Sequence, residues 1–176
     1  MSIISWFNKD QDSEIRDGIK IIYPRLWRYC LVLTGSAVQA DDLVQAACLR
    51  ALENASNFES GTHFDRWMFR LTQRLWINEL RKQAVRTGGG LSTIEEADLR
   101  DHGLDQLSSA MVKEVLMSVM HLPEAQRAAI ILVYVEGHSY RDAAMILDIP
   151  VGTIMSRLSV ARSKLVQKFR SESEVG

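Results

Sequence analysis

The sequence predicts an all-α protein made of two small helical domains joined by a flexible linker, and three features carry that expectation. Apolar residues recur at spacings of three and four almost everywhere outside the middle of the chain, while the strict alternation that marks strands is nearly absent. Gly88-Gly89-Gly90 ends this periodicity, and a polar, acidic run continues to about Asp105. The net charge of -1 also conceals a block pattern. From Phe64 to Arg86 six basic residues stand against two acidic ones, a local charge of +4, and the same balance holds from Arg141 to Arg170. Between them, Gly89 to Ser118 carries six acidic residues against two basic, a local charge of -4. Two basic blocks flanking an acidic one suit two separate nucleic-acid footprints joined by a connector that DNA repels.

In chain order, a helix is expected around Ser13 to Leu33, broken or kinked at Pro24, with Thr34-Gly35 as its stop. A second follows from about Ala37 to Glu53, and a third from Phe64 to about Lys82. Trp67 and Trp76 on the third are expected in the core, because a small helical domain needs large apolar anchors. After the linker, Leu107, Met111, Val115, Val119 and Met120 form one face of a helix, and Pro123-Glu124 opens another that stops at Gly137. Ser139 to Asp142 has the form of a capping box, starting a short helix through Leu147. Asp148-Ile149-Pro150 turns the chain into a long helix to about Phe169, which completes a helix-turn-helix pattern. The domain bounds that follow are 1–87, a linker at 88–105, and 106–176.

Composition excludes several classes of function. At 176 residues and 47% hydrophobic content the chain can bury one moderate core or two small ones. Cys30 and Cys48 lie in apolar helical patterns without metal-knuckle or disulfide spacing, so both are expected as reduced core thiols. His63, His102, His121 and His138 are scattered without ligand spacing, which points to surface or capping histidines and to no metal. The glycine-rich run lacks the Lys-Ser/Thr of a phosphate loop, and there is no nucleophile motif. Neither a catalytic site nor a cofactor is therefore expected. No apolar run approaches the roughly 20 residues needed to span a bilayer, and Met1 to Lys9 lacks the basic region and apolar core of a signal peptide, so a cytoplasmic protein is expected with no membrane insertion of its own.

The last helix divides its faces as a groove-reading helix must. Ile154, Leu158, Ala161, Leu165 and Phe169 share one side, whereas Ser156, Ser159, Val160 and Ser163 point the other way, flanked by Arg157 and Arg162. Apolar residues can dock on the helix's own domain, slender ones can enter a major groove, and the flanking arginines can hold phosphates.

These residues, with Leu122 to Arg127, Glu136 to Tyr140 and Ile149 to Ile154, resemble region four of the extracytoplasmic-function (ECF) sigma factors of bacterial RNA polymerase. The first half is similar to their region two, through Tyr23, Leu26, Arg28-Tyr29, Leu33-Thr34-Gly35, Asp41 to Gln45, Leu49 to Ala51, Phe58, Phe64 and Trp67 to Arg70. Together these motifs cover nearly the whole chain in the family's order, with a linker in the family's place.

The resemblance implies a factor that guides polymerase core to promoters and catalyses nothing itself, in a stress or signal response controlled by an anti-sigma factor. The implied partners are RNA polymerase core, through its β′ clamp helices and β flap, promoter DNA and an anti-sigma factor. It places core binding at Asp41, Asp42, Leu43 and Gln45, where carboxylates and an amide beside an apolar residue make a mixture expected of an interface. It places minus-10 reading, as single-stranded DNA, at Arg70, Arg74, Asn78, Arg81, Lys82 and Arg86. Minus-35 reading falls to Thr153, Met155, Ser156, Arg157, Ser159, Val160 and Arg162. Relatives often have basic or aromatic residues among the groove-reading positions, and an arginine to pair with guanine is missing from Met155, Ser156, Ser159 and Val160. Weaker or more shape-dependent minus-35 recognition is therefore expected. Ala46 stands where the family often has an acidic residue, and Gln73-Arg74 where an Arg-Asn pair is common. Two other readings compete: a sigma-like mimic that sequesters an anti-sigma factor, and a helix-turn-helix repressor.

Overall fold

The computed structural model describes residues 3–86 and 110–173, and every regular element among them is helical. Helix α1 (Ile3–Thr34) continues through Pro24 without the break that the proline suggests, and it begins well before Ser13. A mid-helix proline costs about 3 kcal/mol. Burial of Ile22, Leu26, Tyr29 and Cys30 around it offsets that at roughly 1.5–3 kcal/mol for each large side chain. Upstream, no glycine or proline lies between Ile3 and Asp17 to stop the helix. It ends where Gly35 turns left-handed at φ 72°, its N–H donating to the Leu31 carbonyl at 2.8 Å.

Ser36 then caps α2 (Ala37–Glu53), its hydroxyl accepting from the Gln39 N–H. Ala40, Leu43, Val44, Ala47 and Ala51 of α2 are buried, the stripe expected of a helix lying against two neighbours. After a single tight turn at Ala55–Asn57 the chain enters α3 (Phe64–Arg86). This helix outruns the expected end near Lys82, since Gln83 and Ala84 sustain it and Arg86 pairs back to Glu79 at 2.9 Å.

Aromatic rings join α1, α3 and the segment that leads into α3. Phe58, Phe64 and Trp67 form a cluster with centroids 5.2–5.8 Å apart, and Tyr29 meets Phe69 edge-on at 5.1 Å. Trp76 is buried and Trp67 half-buried, so the tryptophans serve as core anchors.

The second unit starts at α4 (Ala110–Met120), where Val119 and Met120 are buried. Val115, expected on the same inner face, is 39% exposed, and Leu107 and the whole of the linker lie outside the described residues. Helix α5 (Glu124–Ile130) opens after Pro123 and widens into a π turn, Ile131–Val135, which ends at Gly137 with φ 74°. Ser139 caps α6 (Tyr140–Leu147) by accepting from the Asp142 N–H at 3.1 Å. Asp148 closes α6 in the left-handed conformation, φ 56°, and after Pro150 the chain continues as α7 (Val151–Ser173). The bend from α6 to α7 is 104°, within the helix-turn-helix range. Ile154, Leu158 and Ala161 bury the inner face of α7.

The two units touch along a seam in which α5 faces α1 and α6 faces α3. Arg127 of α5 is buried there, donating to the Met120 carbonyl at 2.9 Å and, across the seam, to the Leu33 carbonyl at 3.0 Å. His138 is also buried, edge-on to Phe69 at 5.4 Å, which corrects the expectation of a surface or capping histidine at that position. The π turn before Gly137 brings it inward, and no residue spacing announces that.

Helix α1 packs against Phe64 of α3 at Gly18, where an added Cβ would stand 2.6–2.9 Å from the Phe64 ring, itself held by Phe58 and Trp67. Gly18→Val is expected to lower stability by about 1–3 kcal/mol, measured by urea denaturation, because that ring has no empty space to enter.

Candidate nucleic-acid and protein interfaces

Three surfaces collect the residues singled out by sequence. On α2, Asp41, Asp42 and Gln45 are exposed, while Leu43 beneath them is only 8% exposed and belongs to the core. The structure adds a residue to this patch: the Trp27 indole N–H donates to the Asp41 carboxylate at 2.7 Å. The bond ties the patch to α1 and fixes one of its two acids, leaving Asp42 projecting. A contact between neighbouring helices at a separation of fourteen residues leaves no periodic signal in sequence.

The second surface is the outer side of α3. Arg74, Asn78, Arg81, Lys82 and Arg86 are exposed along it, with Glu79 between Lys82 at 3.7 Å and Arg86 at 2.9 Å. These exposed pairs are worth at most about 1 kcal/mol and yield readily to a phosphate. Arg70 is less open, since its guanidinium lies 3.6 Å from Asp148 of the other unit. It also lines an open cleft of about 400 Å³ between the units, together with Arg141, Met145 and Asp148.

Gln73 sits next to this surface and yet points inward. It is buried, and its side-chain oxygen accepts from the Tyr29 hydroxyl at 2.6 Å. Burial, with Glu124 adding negative charge nearby, pushes the Tyr29 hydroxyl well above its ordinary pKa, so it remains a donor. Gln73 therefore spends its side chain on a buried hydrogen bond and leaves Arg74 as the exposed member of that pair.

The third surface is the outer face of α7. Met155, Ser156, Ser159, Val160 and Arg162 are exposed, with Thr153 and Arg157 half-buried at its edges. Ser156 donates to the Thr153 carbonyl at 3.0 Å and Ser163 to the Ser159 carbonyl at 3.1 Å. Two serine hydroxyls thus spend their protons on the helix and offer lone pairs outward until they rotate. Behind the face, Tyr134 of the π turn lies near Tyr140 and Arg162, and burial raises the pKa of its hydroxyl.

Among the described residues, no group of three or more His, Cys, Asp or Glu side chains is placed to hold a metal ion. Burial raises the pKa of both thiols, Cys30 far more than Cys48, and so keeps them protonated. Among the described residues, no single helix is long and apolar enough to cross a membrane.

Comparison with known proteins extends these observations. Residues 19–86 match the Sigma-70 region 2 family and residues 113–165 match Sigma-70, region 4. The ECF RNA polymerase sigma factor EcfG of Rhodopseudomonas palustris is 36% identical over 151 residues, 86% of this chain and 82% of that protein. The ECF factor SigW of Bacillus subtilis is 27% identical over 92% of this chain and 91% of its own. Among solved structures, the sigma factor RpoE of Bartonella quintana, crystallised with the anti-sigma factor NepR, superposes with a TM-score of 0.77 at 27% identity, covering 89% of this chain and 97% of that one. CnrH, solved with the cytosolic domain of CnrY, shares the fold with a TM-score of 0.64 at 18% identity, over 93% and 95% of the two chains.

The buried Tyr29–Gln73 pair generates a test. Gln73→Leu is expected to cost about 1–3 kcal/mol in urea denaturation by stranding the Tyr29 hydroxyl. Adding Tyr29→Phe is expected to recover part of that loss, because both polar groups are then gone.

Proposed function

Because this chain belongs to the ECF family of RNA polymerase sigma factors, we infer that it joins polymerase core, directs it to specific promoters, and leaves the chemistry of RNA synthesis to polymerase. The observation that carries this reading is the pairing, in one chain, of region-two and region-four matches with three separately exposed surfaces suited to core, minus-10 and minus-35 contacts. In this reading region two spans 1–87, an acidic linker 88–105, and region four 106–176.

Asp42, Asp41 and Gln45 make the contact to the β′ clamp helices, with Trp27 orienting Asp41 and Leu43 seating the patch from below. The basic face of α3, from Arg70 to Arg86, tracks the backbone of the opened minus-10 strand. Helix α7 enters the major groove at the minus-35 element, Arg157 and Arg162 holding phosphates while Thr153, Met155, Ser156, Ser159 and Val160 meet base edges. Serines bond either base type and apolar tips favour thymine methyls, so discrimination there relies on DNA shape more than on bidentate contacts. An anti-sigma factor holds the protein inactive, a reading supported by the complex of the similar RpoE with the anti-sigma factor NepR, and the protein works in the cytoplasm where polymerase is.

Promoter-specific transcription with purified core over a library of upstream DNA tests the function. Start sites are expected only when the chain is added, and Asp42→Ala is expected to abolish them by weakening core binding. Arg74→Ala is expected to leave core binding intact, reduce starts across all selected promoters, and lower the salt dependence of promoter binding by about one unit of slope. Core or anti-sigma binding without starts would mark a mimic, and duplex binding independent of core would mark a repressor.

A further inference from the structure

Each ion pair across the seam between the two units runs the same way among the described residues, with the cation on region two and the acid on region four. Arg25 donates to Glu136 at 2.6 Å, and Arg28 approaches the same carboxylate at 3.8 Å. Arg66 meets Asp142 at 2.8 Å and Arg70 meets Asp148 at 3.6 Å. Glu136 has a side chain only 1% exposed, so its charge is out of water and depends on those two arginines. Although desolvation pulls the other way, the Ser139 hydroxyl and Arg66 hold the Asp142 carboxyl below its usual range, ionised and able to pair. Asp142 and Asp148 of region four thus occupy the guanidiniums of Arg66 and Arg70 at the start of the basic face of α3, while Glu136 takes those of Arg25 and Arg28 on α1.

We propose that region four is clasped onto region two in the free chain as an autoinhibitory latch, its acids standing in for DNA phosphates at Arg66 and Arg70. The inference rests on the promoter-binding reading for its consequence, but not for its geometry. Elements about 25 base pairs apart are separated by roughly 85 Å of duplex at 3.4 Å per pair. With α6 packed on α3, the two reading helices are held far closer than that, so one shut molecule cannot engage both elements. The α2 patch of Asp41, Asp42 and Gln45 stays exposed when the latch is shut. Core can therefore dock first and release region four afterwards.

Small-angle X-ray scattering of the full chain at low and high salt, without polymerase or DNA, tests the latch itself. The wild type is expected to be compact at low salt and to extend as salt screens the pairs. Glu136→Lys is expected to extend it at low salt with helix content unchanged by circular dichroism, and Arg25→Glu added to Glu136→Lys is expected to restore compactness. Asp148→Asn, which tolerates the left-handed conformation, should loosen the chain without risk to the fold. In transcription at limiting core, the extended variants are expected to outperform wild type several-fold. A wild type already extended at low salt, or a Glu136→Lys chain as compact as wild type, would overturn the proposal. Scattering as expected with no transcription from any variant would leave the latch standing and sink the promoter reading instead.

Discussion

One guanidinium holds the arrangement on which everything else depends. The last carbonyls of any helix lack intrahelical donors and carry the negative end of its dipole. Arg127 satisfies two such ends at once, the Met120 carbonyl closing α4 and the Leu33 carbonyl near the end of α1. Burial opposes its charge, and Glu124 nearby supports it. The result is a cation fixed between two helix termini in two different units, and it sets which face of region four turns toward region two. His138 against Phe69, Arg25 over the same ring at 5.7 Å, and the Glu136 pair then fall into register around it.

That register explains the distribution of exposed function. The face of α7 opposite its buried Ile154, Leu158 and Ala161 looks outward, and the α2 patch is open as well. Among the described residues, the acids of the other unit cover only the start of the basic face of α3, at Arg66 and Arg70. The same chemistry serves two ends: arginines suited to a sugar-phosphate backbone are equally suited to carboxylates. A protein that must both bind DNA and avoid binding it prematurely can use one surface for both, provided that the competing acids are tethered and weaker than a promoter held by polymerase.

Much of this was legible in the sequence because helical periodicity and punctuation are local. The capping serine Ser139, the stops at Gly35 and Gly137, and the buried stripe of α7 all follow from residues close in the chain. The outer-face assignment of Ser156, Ser159 and Val160 follows from the same periodicity. What escaped depends on contacts between segments far apart. Pro24 reads as a break because its cost is local, whereas the burial that carries α1 through it comes from other helices. Leu43 reads as part of a surface patch, Gln73 as neighbour to a DNA contact and His138 as a surface residue, yet all three are buried against partners that no spacing reveals. The seam itself is invisible in sequence: alternating charge blocks announce two basic footprints, but Glu136, Asp142 and Asp148 lie outside the acidic block and look like ordinary solvated charges.

If the chain acts on DNA only as part of polymerase, strand opening reports it most directly. Permanganate reactivity of thymines just upstream of a start site should rise only when core and this chain are both present, because minus-10 reading requires unpaired bases held against α3. Opening by the chain alone, or no opening with core and chain together on a promoter they jointly select, would contradict the account.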